Sequence, residues 1–252
     1  MRMKIIDVTP QNVREETFFC IKNVNAPEFK AKEEWFNKRF DEGLRINILK
    51  SDDNKPIAFI EYIPANFAWR PVIADNYMFI HCMYTYSNKD KGKGYASELI
   101  TACEEDAKHR KMDGVAVMTS KGSWIANKSI FEKLNYVEFD KRGRFELMAK
   151  KFHDSAKDPK LIDWTANLSK YKGWHLLYSD QCPWHGKSVE AICNIAKENN
   201  IDIQLKKLTN SEEAKQMPSG FGVFNLIFNG KLLEDHYISG TRFKNILKKE
   251  IK

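Results

Sequence analysis

The stretch Lys91-Gly92-Lys93-Gly94-Tyr95-Ala96 decides the fold, because two glycines stand between an apolar segment and an amphipathic one. Glycine has no Cβ, so its backbone can adopt conformations closed to other residues and can approach an anion closely. The helix that follows would direct free N–H groups and its positive dipole end at the same point. Lys91 and Lys93 add positive charge. The stretch therefore predicts a phosphate-binding loop between a strand and a helix.

The segments around this loop have regular patterns. Tyr77–Tyr86 is a long apolar run that predicts a strand, and after the loop apolar residues recur at helical spacing from Ala96 to Ala107. Leu44–Leu49 and Ile57–Ile63 alternate as strands of a hairpin. The remaining elements predicted in this half are a strand at Lys4–Val8, helices near Gln11–Lys22, Lys30–Glu42 and Trp124–Leu134, and strands at Val115–Thr119, Tyr136–Asp140 and Arg144–Phe152.

A second α/β series begins after the regular pattern ends. The predicted domains are residues 1–152 and 173–252, joined by a linker or packing segment at 153–172. Asn229-Gly230 is the strongest two-residue hairpin signal in the chain. The elements predicted for this second domain are strands at Trp174–Ser179, Ile201–Leu205, Val223–Phe228 and Lys231–His236, and helices at Lys187–Asn199 and Thr241–Lys249.

The composition limits the kinds of function. The 252 residues are 42% hydrophobic and 12% aromatic, enough for a packed core, and the net charge is +7. The lysines are dispersed, so we expect no nucleic-acid partner. We expect no secretory signal and no membrane span. The five cysteines show no CxxC spacing, which predicts a cytoplasmic protein without a metal site. The oligomeric state is left open.

Two segments carry a resemblance to a known family. KGKGYASELI, at Lys91–Ile100, resembles motif A of the GNAT acetyltransferases, with Gly94 as its central glycine. IFEKLNY, at Ile130–Tyr136, resembles motif B. The order of elements over Met1–Phe152 is similar as well. The resemblance implies an α+β or α/β fold in which helices flank a mixed central sheet.

The resemblance also implies a reaction. The amine of a small molecule or peptide would attack acetyl-CoA directly, with both substrates held together in one cleft. Strand Tyr77–Tyr86 would splay from Val115–Thr119, and pantetheine would lie in the gap. The residues implied to bind acetyl-CoA are Met83, Tyr84, Thr85, Tyr86, Lys91, Gly92, Lys93, Gly94, Tyr95, Ala96, Ser97 and Phe131.

The sequence departs from the family pattern at two positions. Lys91 replaces the usual Arg or Gln, and so lacks a bidentate fork. Phe131 replaces the tyrosine that often protonates the leaving thiolate. The general base is left open among Glu61, His81 and Tyr84, which all lie on predicted strands.

Cys182-Pro183-Trp184-His185 stands between a predicted strand and helix in the second domain. A helix N-terminus stabilises a thiolate, so Cys182 is a candidate reactive thiol. The string resembles a thioredoxin-like fold with His185 in place of the second cysteine. The pairing of the two domains resembles the YoaP-type acetyltransferases. Two alternatives to an acetyltransferase remain: a thiol-redox or thiol-transfer protein using Cys182, and a non-catalytic acyl-CoA sensor.

Overall fold

The structure is a computed structural model that describes residues 3–122 and 125–251. The chain divides into two compact units. Unit 1 comprises Met1–Val24, Phe36–Ala68 and Val72–Leu161, and unit 2 comprises Asn25–Trp35, Trp69–Pro71 and Ile162–Lys252.

Unit 1 is built on a seven-stranded mixed sheet. Its strands are β1 (Lys4–Val8), β2 (Arg45–Lys50), β3 (Pro56–Pro64), β5 (Tyr77–Thr85), β6 (Gly114–Ser120), β7 (Val137–Arg142) and β8 (Phe145–Lys151). The order across the sheet is β1-β2-β3-β5-β6-β8-β7. Only β5 and β6 run parallel, and every other neighbouring pair is antiparallel. Two short strands, β4 (Val72–Ile73) and β9 (Lys160–Leu161), pair separately.

One helix covers the middle of this sheet. The α-helices outside the C-terminal half are α1 (Val13–Glu16), α2 (Pro27–Phe40), α3 (Tyr95–His109) and α4 (Ser129–Glu132). The predicted apolar stripe of α3 is buried at Leu99, Ile100, Cys103 and Ala107. These side chains share one core with sheet residues such as Ile60. Because this stripe is buried, α3 is held in a fixed position on the sheet.

Two helices are shorter than the sequence pattern predicts. The expected helix Gln11–Lys22 ends at Glu16, because Thr17 has a φ of 61° that an α-helix cannot continue. The expected helix Trp124–Leu134 is described only as Ser129–Glu132. Ser123 and Trp124 lie outside the described residues.

Unit 2 has a four-stranded sheet of order β11-β10-β12-β13. Its elements are β10 (Trp174–Tyr178), α5 (Trp184–Glu198), β11 (Ile203–Lys207), α6 (Ser211–Lys215), β12 (Phe224–Phe228), β13 (Lys231–Glu234) and α7 (Gly240–Glu250). β10 runs parallel to β11 and antiparallel to β12. The predicted hairpin at Asn229-Gly230 is confirmed, with φ values of 46° and 77° that match a two-residue turn of the primed type.

The chain also contains short 3-10 helices, at Ala65–Phe67, Asn88–Asp90 and Thr165–Lys170. The last of these falls within the segment predicted as a linker. No helix in the described part of the chain has the length and apolar character needed to cross a membrane.

A fully buried histidine lies in the core of unit 2. The Nδ1 of His185 is 2.7 Å from the carbonyl oxygen of Ser179, so Nδ1 carries the proton and donates this hydrogen bond. The pKa of His185 is lowered to about 4, mainly by burial and in smaller part by the positive charges of Arg70 and Lys32. His185 is therefore neutral at pH 7.

We expect unit 2 to lose stability in mild acid. The unfolded chain takes up a proton at His185 near pH 6.5, whereas the folded chain does so only near pH 4. The free energy of unfolding should therefore fall by about 3 kcal/mol as the pH drops through this window. His185→Asn, which keeps a donor near Ser179, should show a smaller fall in urea unfolding at pH 7 and pH 4.5.

His109→Asn is the control, because His109 is exposed. The free energy of unfolding of this variant should fall between pH 7 and pH 4.5 by as much as that of the parent chain. An equal fall in the His185→Asn variant and the parent would show that His185 does not cause the acid sensitivity.

Candidate functional site

The two parallel strands at the centre of unit 1 separate part of the way along. β5 pairs with β6 from Tyr77 opposite Gly114 to Ile80 opposite Val117, and there the pairing ends. β5 continues to Thr85 on β3, and β6 continues on β8. No described strand pairs with the β6-facing edge of β5 beyond Ile80. The strands thus enclose a gap bordered by backbone N–H and C=O groups, as the resemblance implies.

A β-bulge marks the point of separation. Ile80 lies opposite Tyr62 and Cys82 lies opposite Glu61, so His81 is an extra residue in β5. A bulge bends its strand and increases its twist. The side chains of β5 are buried up to His81 and alternate between exposed and half-buried after it. The bulge therefore coincides with the change from core strand to open strand.

The glycine loop connects this open strand to α3. Residues Lys91–Gly94 are all exposed. Gly92 and Gly94 have φ values of 81° and 88°, in the left-handed region that favours glycine. A Cβ added at either position would meet no atom within 4 Å. The requirement for glycine thus comes from the backbone conformation, and the space beside both residues is open.

The first turn of α3 faces this space without a side-chain cap. Gly94 is the N-cap residue and supplies no side-chain hydrogen bond. The intrahelical bonds begin with the Glu98 N–H donating to the Gly94 carbonyl, 3.0 Å away. The first N–H groups of a helix have no partner inside it, so this turn can donate to an anion. Tyr95, Ala96 and Ser97 form the turn and are half-buried.

The two loop lysines differ in their surroundings. The Nζ of Lys93 donates a hydrogen bond to the Asp90 carboxylate over 3.0 Å, and this bond raises the pKa of Lys93. Lys91 is exposed at the start of the loop. The loop thus presents lysine side chains beside the helix N-terminus.

The structure brings together two of the three candidate bases. The Nδ1 of His81 lies 3.4 Å from Oε1 of Glu61, and their side chains are 0% and 4% exposed. The ring of Phe79 packs edge-on against His81, with the ring centroids 5.8 Å apart. A carboxylate and an imidazole in contact can share and pass one proton. Their neighbouring strands were predicted, but the contact depends on the bulge, which has no signal in the sequence.

Tyr84, the third candidate base, lies on the open part of β5 and is 52% exposed. Tyr86 follows it and is 71% exposed. Met83 and Thr85 alternate with them and are half-buried. Phe19 packs edge-on against both tyrosines. Phe19 is not predicted as a site residue from the sequence, because it lies in a segment whose pattern favours a helix.

Phe131 lies in the hydrophobic core of unit 1. Its side chain is fully buried in the core that α3 shares with the sheet. Its ring contacts Tyr136, with the centroids 5.3 Å apart. Burial raises the pKa of the Tyr136 hydroxyl well above its ordinary value. The structure thus places Phe131 as a packing residue of the core.

The thiol of unit 2 lies at the start of α5. Cys182 is half-buried and Pro183 is the N-cap residue. His185 is bonded to Ser179 as described, so its Nδ1 is already engaged. Cys193 is half-buried on the same helix, and burial raises its pKa. Among the described residues, no group of three or more His, Cys, Asp or Glu side chains is placed to hold a metal ion.

Comparisons with known proteins find one similarity within the first half of the chain and one over nearly its whole length. Residues 11–126 match the model of the acetyltransferase (GNAT) family. Over 251 residues the chain is 28% identical to the uncharacterized N-acetyltransferase YoaP of Bacillus subtilis (strain 168), covering 97% of this chain and 98% of that protein.

Two solved structures are similar to about three fifths of the chain. The PaiA N-acetyltransferase of Thermoplasma acidophilum, in complex with coenzyme A, is 15% identical with a TM-score of 0.41, over 60% of this chain and 100% of that one. A GNAT family acetyltransferase of Brucella melitensis, in complex with acetyl-CoA, is 13% identical with a TM-score of 0.38, over 62% and 92%.

The chain is therefore an acyltransferase, and its residues 11–126 resemble the acetyltransferase (GNAT) family.

Proposed function

We propose that the chain transfers the acetyl group of acetyl-CoA to a primary amine, with both substrates bound at once. One observation carries the proposal: the glycine loop and the uncapped start of α3 stand beside the separation of β5 from β6. These features belong to consecutive segments of unit 1. Together they provide an anion site followed by an open strand edge.

The residues present suit the donor substrate. The loop N–H groups and the first turn of α3 would hold the pyrophosphate, with Lys91 and Lys93 supplying charge. The open edge of β5 would pair with the amide groups of pantetheine as a short added strand does. The open space beside Gly92 and Gly94 supports this assignment, because a side chain there would occupy it.

The reaction balances without a further reactant. The nitrogen of the amine attacks the thioester carbonyl carbon, a C–N bond forms and the C–S bond breaks. From its ammonium form the nitrogen loses two protons, of which one passes to a base and the other to the sulfur of CoA. The products are the acetylated amine, CoA and one proton. Proximity in one cleft supplies much of the rate.

The Glu61–His81 pair is the base that the geometry supports best. It lies where β5 leaves β6, and both groups can accept a proton. Tyr84 is a weaker choice, because its side chain is 52% exposed, whereas Glu61 and His81 are buried in contact with each other. Phe131 cannot donate a proton, so the sulfur would be protonated by the amine nitrogen or by water.

We assign unit 2 to the thioredoxin-like class because of its strand order and because Cys182 lies just before α5. The pairing of β10 with β11 and β12 supports this assignment. A disulfide reductase needs a second thiol, and His185 occupies that position. We therefore assign unit 2 a structural or substrate-presenting role. The five free cysteines support a cytoplasmic location.

Replacing Gly94 by valine should weaken acetyl-CoA binding by about tenfold or more, because the side chain would fill the open space and alter the loop backbone. Calorimetric titration with acetyl-CoA measures this effect. Gly143→Val is the matched control, since Gly143 has a φ of 58°, no atom within 4 Å of an added Cβ, and a position in the β7–β8 turn. Parent-like binding by both variants would contradict the assignment of the loop.

Replacing Glu61 by glutamine should lower kcat by about 100-fold, because the pair then lacks its carboxylate. The affinity for acetyl-CoA should change little. The kcat values of the variant and the parent are compared by measuring the release of CoA at saturating substrate concentrations over a series of pH values. Glu234→Gln is the control, since Glu234 is a buried strand carboxylate of unit 2 paired with Arg242 over 2.7 Å. An unchanged kcat in Glu61→Gln would exclude Glu61 as part of the base.

A further inference from the structure

We infer that the acceptor is a primary amine carried on an aromatic or flat heterocyclic ring, and that Tyr84 and Tyr86 bind this ring. The inference rests on the proposed function, because it names the second substrate of the same site. It depends on a group of four rings in unit 1, called here the aromatic platform: Phe19, Phe59, Tyr84 and Tyr86.

The platform has a buried base and an exposed rim. The rings of Phe19 and Phe59 stack with centroids 5.0 Å apart and planes 28° apart, and both side chains are buried. Tyr84 and Tyr86 meet Phe19 edge-on at 6.3 Å and 6.0 Å. Both tyrosines remain more than half exposed. Two large rings are thus held by packing underneath while much of their surface is open, a preformed apolar contact surface.

The platform lies on the same face of the sheet as the proposed base. Phe59 and Tyr84 are cross-strand neighbours, and the Tyr86 N–H donates to the Ile57 carbonyl over 3.0 Å. Side chains two residues apart on a strand share a face, so Phe59 and Glu61 point the same way. Their Cα atoms are about 7 Å apart along β3. A ring bound at Tyr84 would therefore leave an amine on a short side chain near Glu61.

The charges near the platform disfavour a flexible polycation. A polyamine is recognised by several available carboxylates. The Glu16 carboxylate of α1 is paired with Lys50 at the end of β2. The Asp53 carboxylate, in the turn between β2 and β3, is paired with Lys55. Glu61 is buried against His81. The exposed groups offered by the platform are rings, which prefer to stack on or edge against other rings.

Direct binding of amines tests the inference independently of turnover. The chain, saturated with CoA, is titrated with 2-phenylethylamine, hexylamine and spermidine, and the three Kd values are compared. We expect 2-phenylethylamine to bind about tenfold more tightly than hexylamine. Tyr84→Leu and Tyr86→Leu, which keep an apolar side chain without the ring, should each reduce this ratio severalfold.

Phe67→Leu is the control, because Phe67 is an exposed ring of unit 1 outside the platform. Its ratio of Kd values should equal that of the parent. Equal affinity for the two monoamines, tighter binding of spermidine, or a ratio unaffected by both tyrosine substitutions would overturn the inference. Those results leave acetyl-CoA binding intact, whereas failure of the chain to bind CoA or acetyl-CoA would remove the proposed function itself.

Discussion

The end of hydrogen bonding between β5 and β6 is the constraint on which the whole site depends. Beyond Ile80 and Val117 each strand stays paired with its outer neighbour, β3 or β8, so the sheet itself holds the gap open. A strand edge with unpaired N–H and C=O groups must be hydrated or joined by another group. An extended molecule bearing amides can supply that partner. The gap is therefore a built feature of the sheet rather than a property of a mobile loop.

Burial of α3 fixes the position of the helix N-terminus at one end of this gap. The stripe that includes Leu99 and Cys103 fixes the helix on the sheet, so its uncapped first turn stays beside the open strand. For a residue other than glycine, the backbone conformation at Gly92 or Gly94 would cost about 1–2 kcal/mol. Helix position and loop conformation together direct N–H groups and positive charge to one place.

The parts of this arrangement that follow local rules could be predicted from sequence. The apolar stripe predicted α3, and Asn229-Gly230 predicted the hairpin of unit 2. Contacts set by long-range register could not be predicted. The bulge at His81 brings this residue to Glu61, and no local pattern signals an extra residue in a continuous apolar strand. The aromatic platform likewise joins Phe19, from a segment that resembled a helix, to strands far along the chain.

Hydrogen exchange on the intact chain, with and without saturating acetyl-CoA, tests the central claim most directly. If the donor substrate occupies the loop and the gap, amides of residues 82–86 and of the first turn of α3 should exchange more slowly when it is present. Amides of the β7–β8 turn around Gly143 should be unaffected. Unchanged exchange in both the open half of β5 and the start of α3 would contradict the assignment of this site to acetyl-CoA.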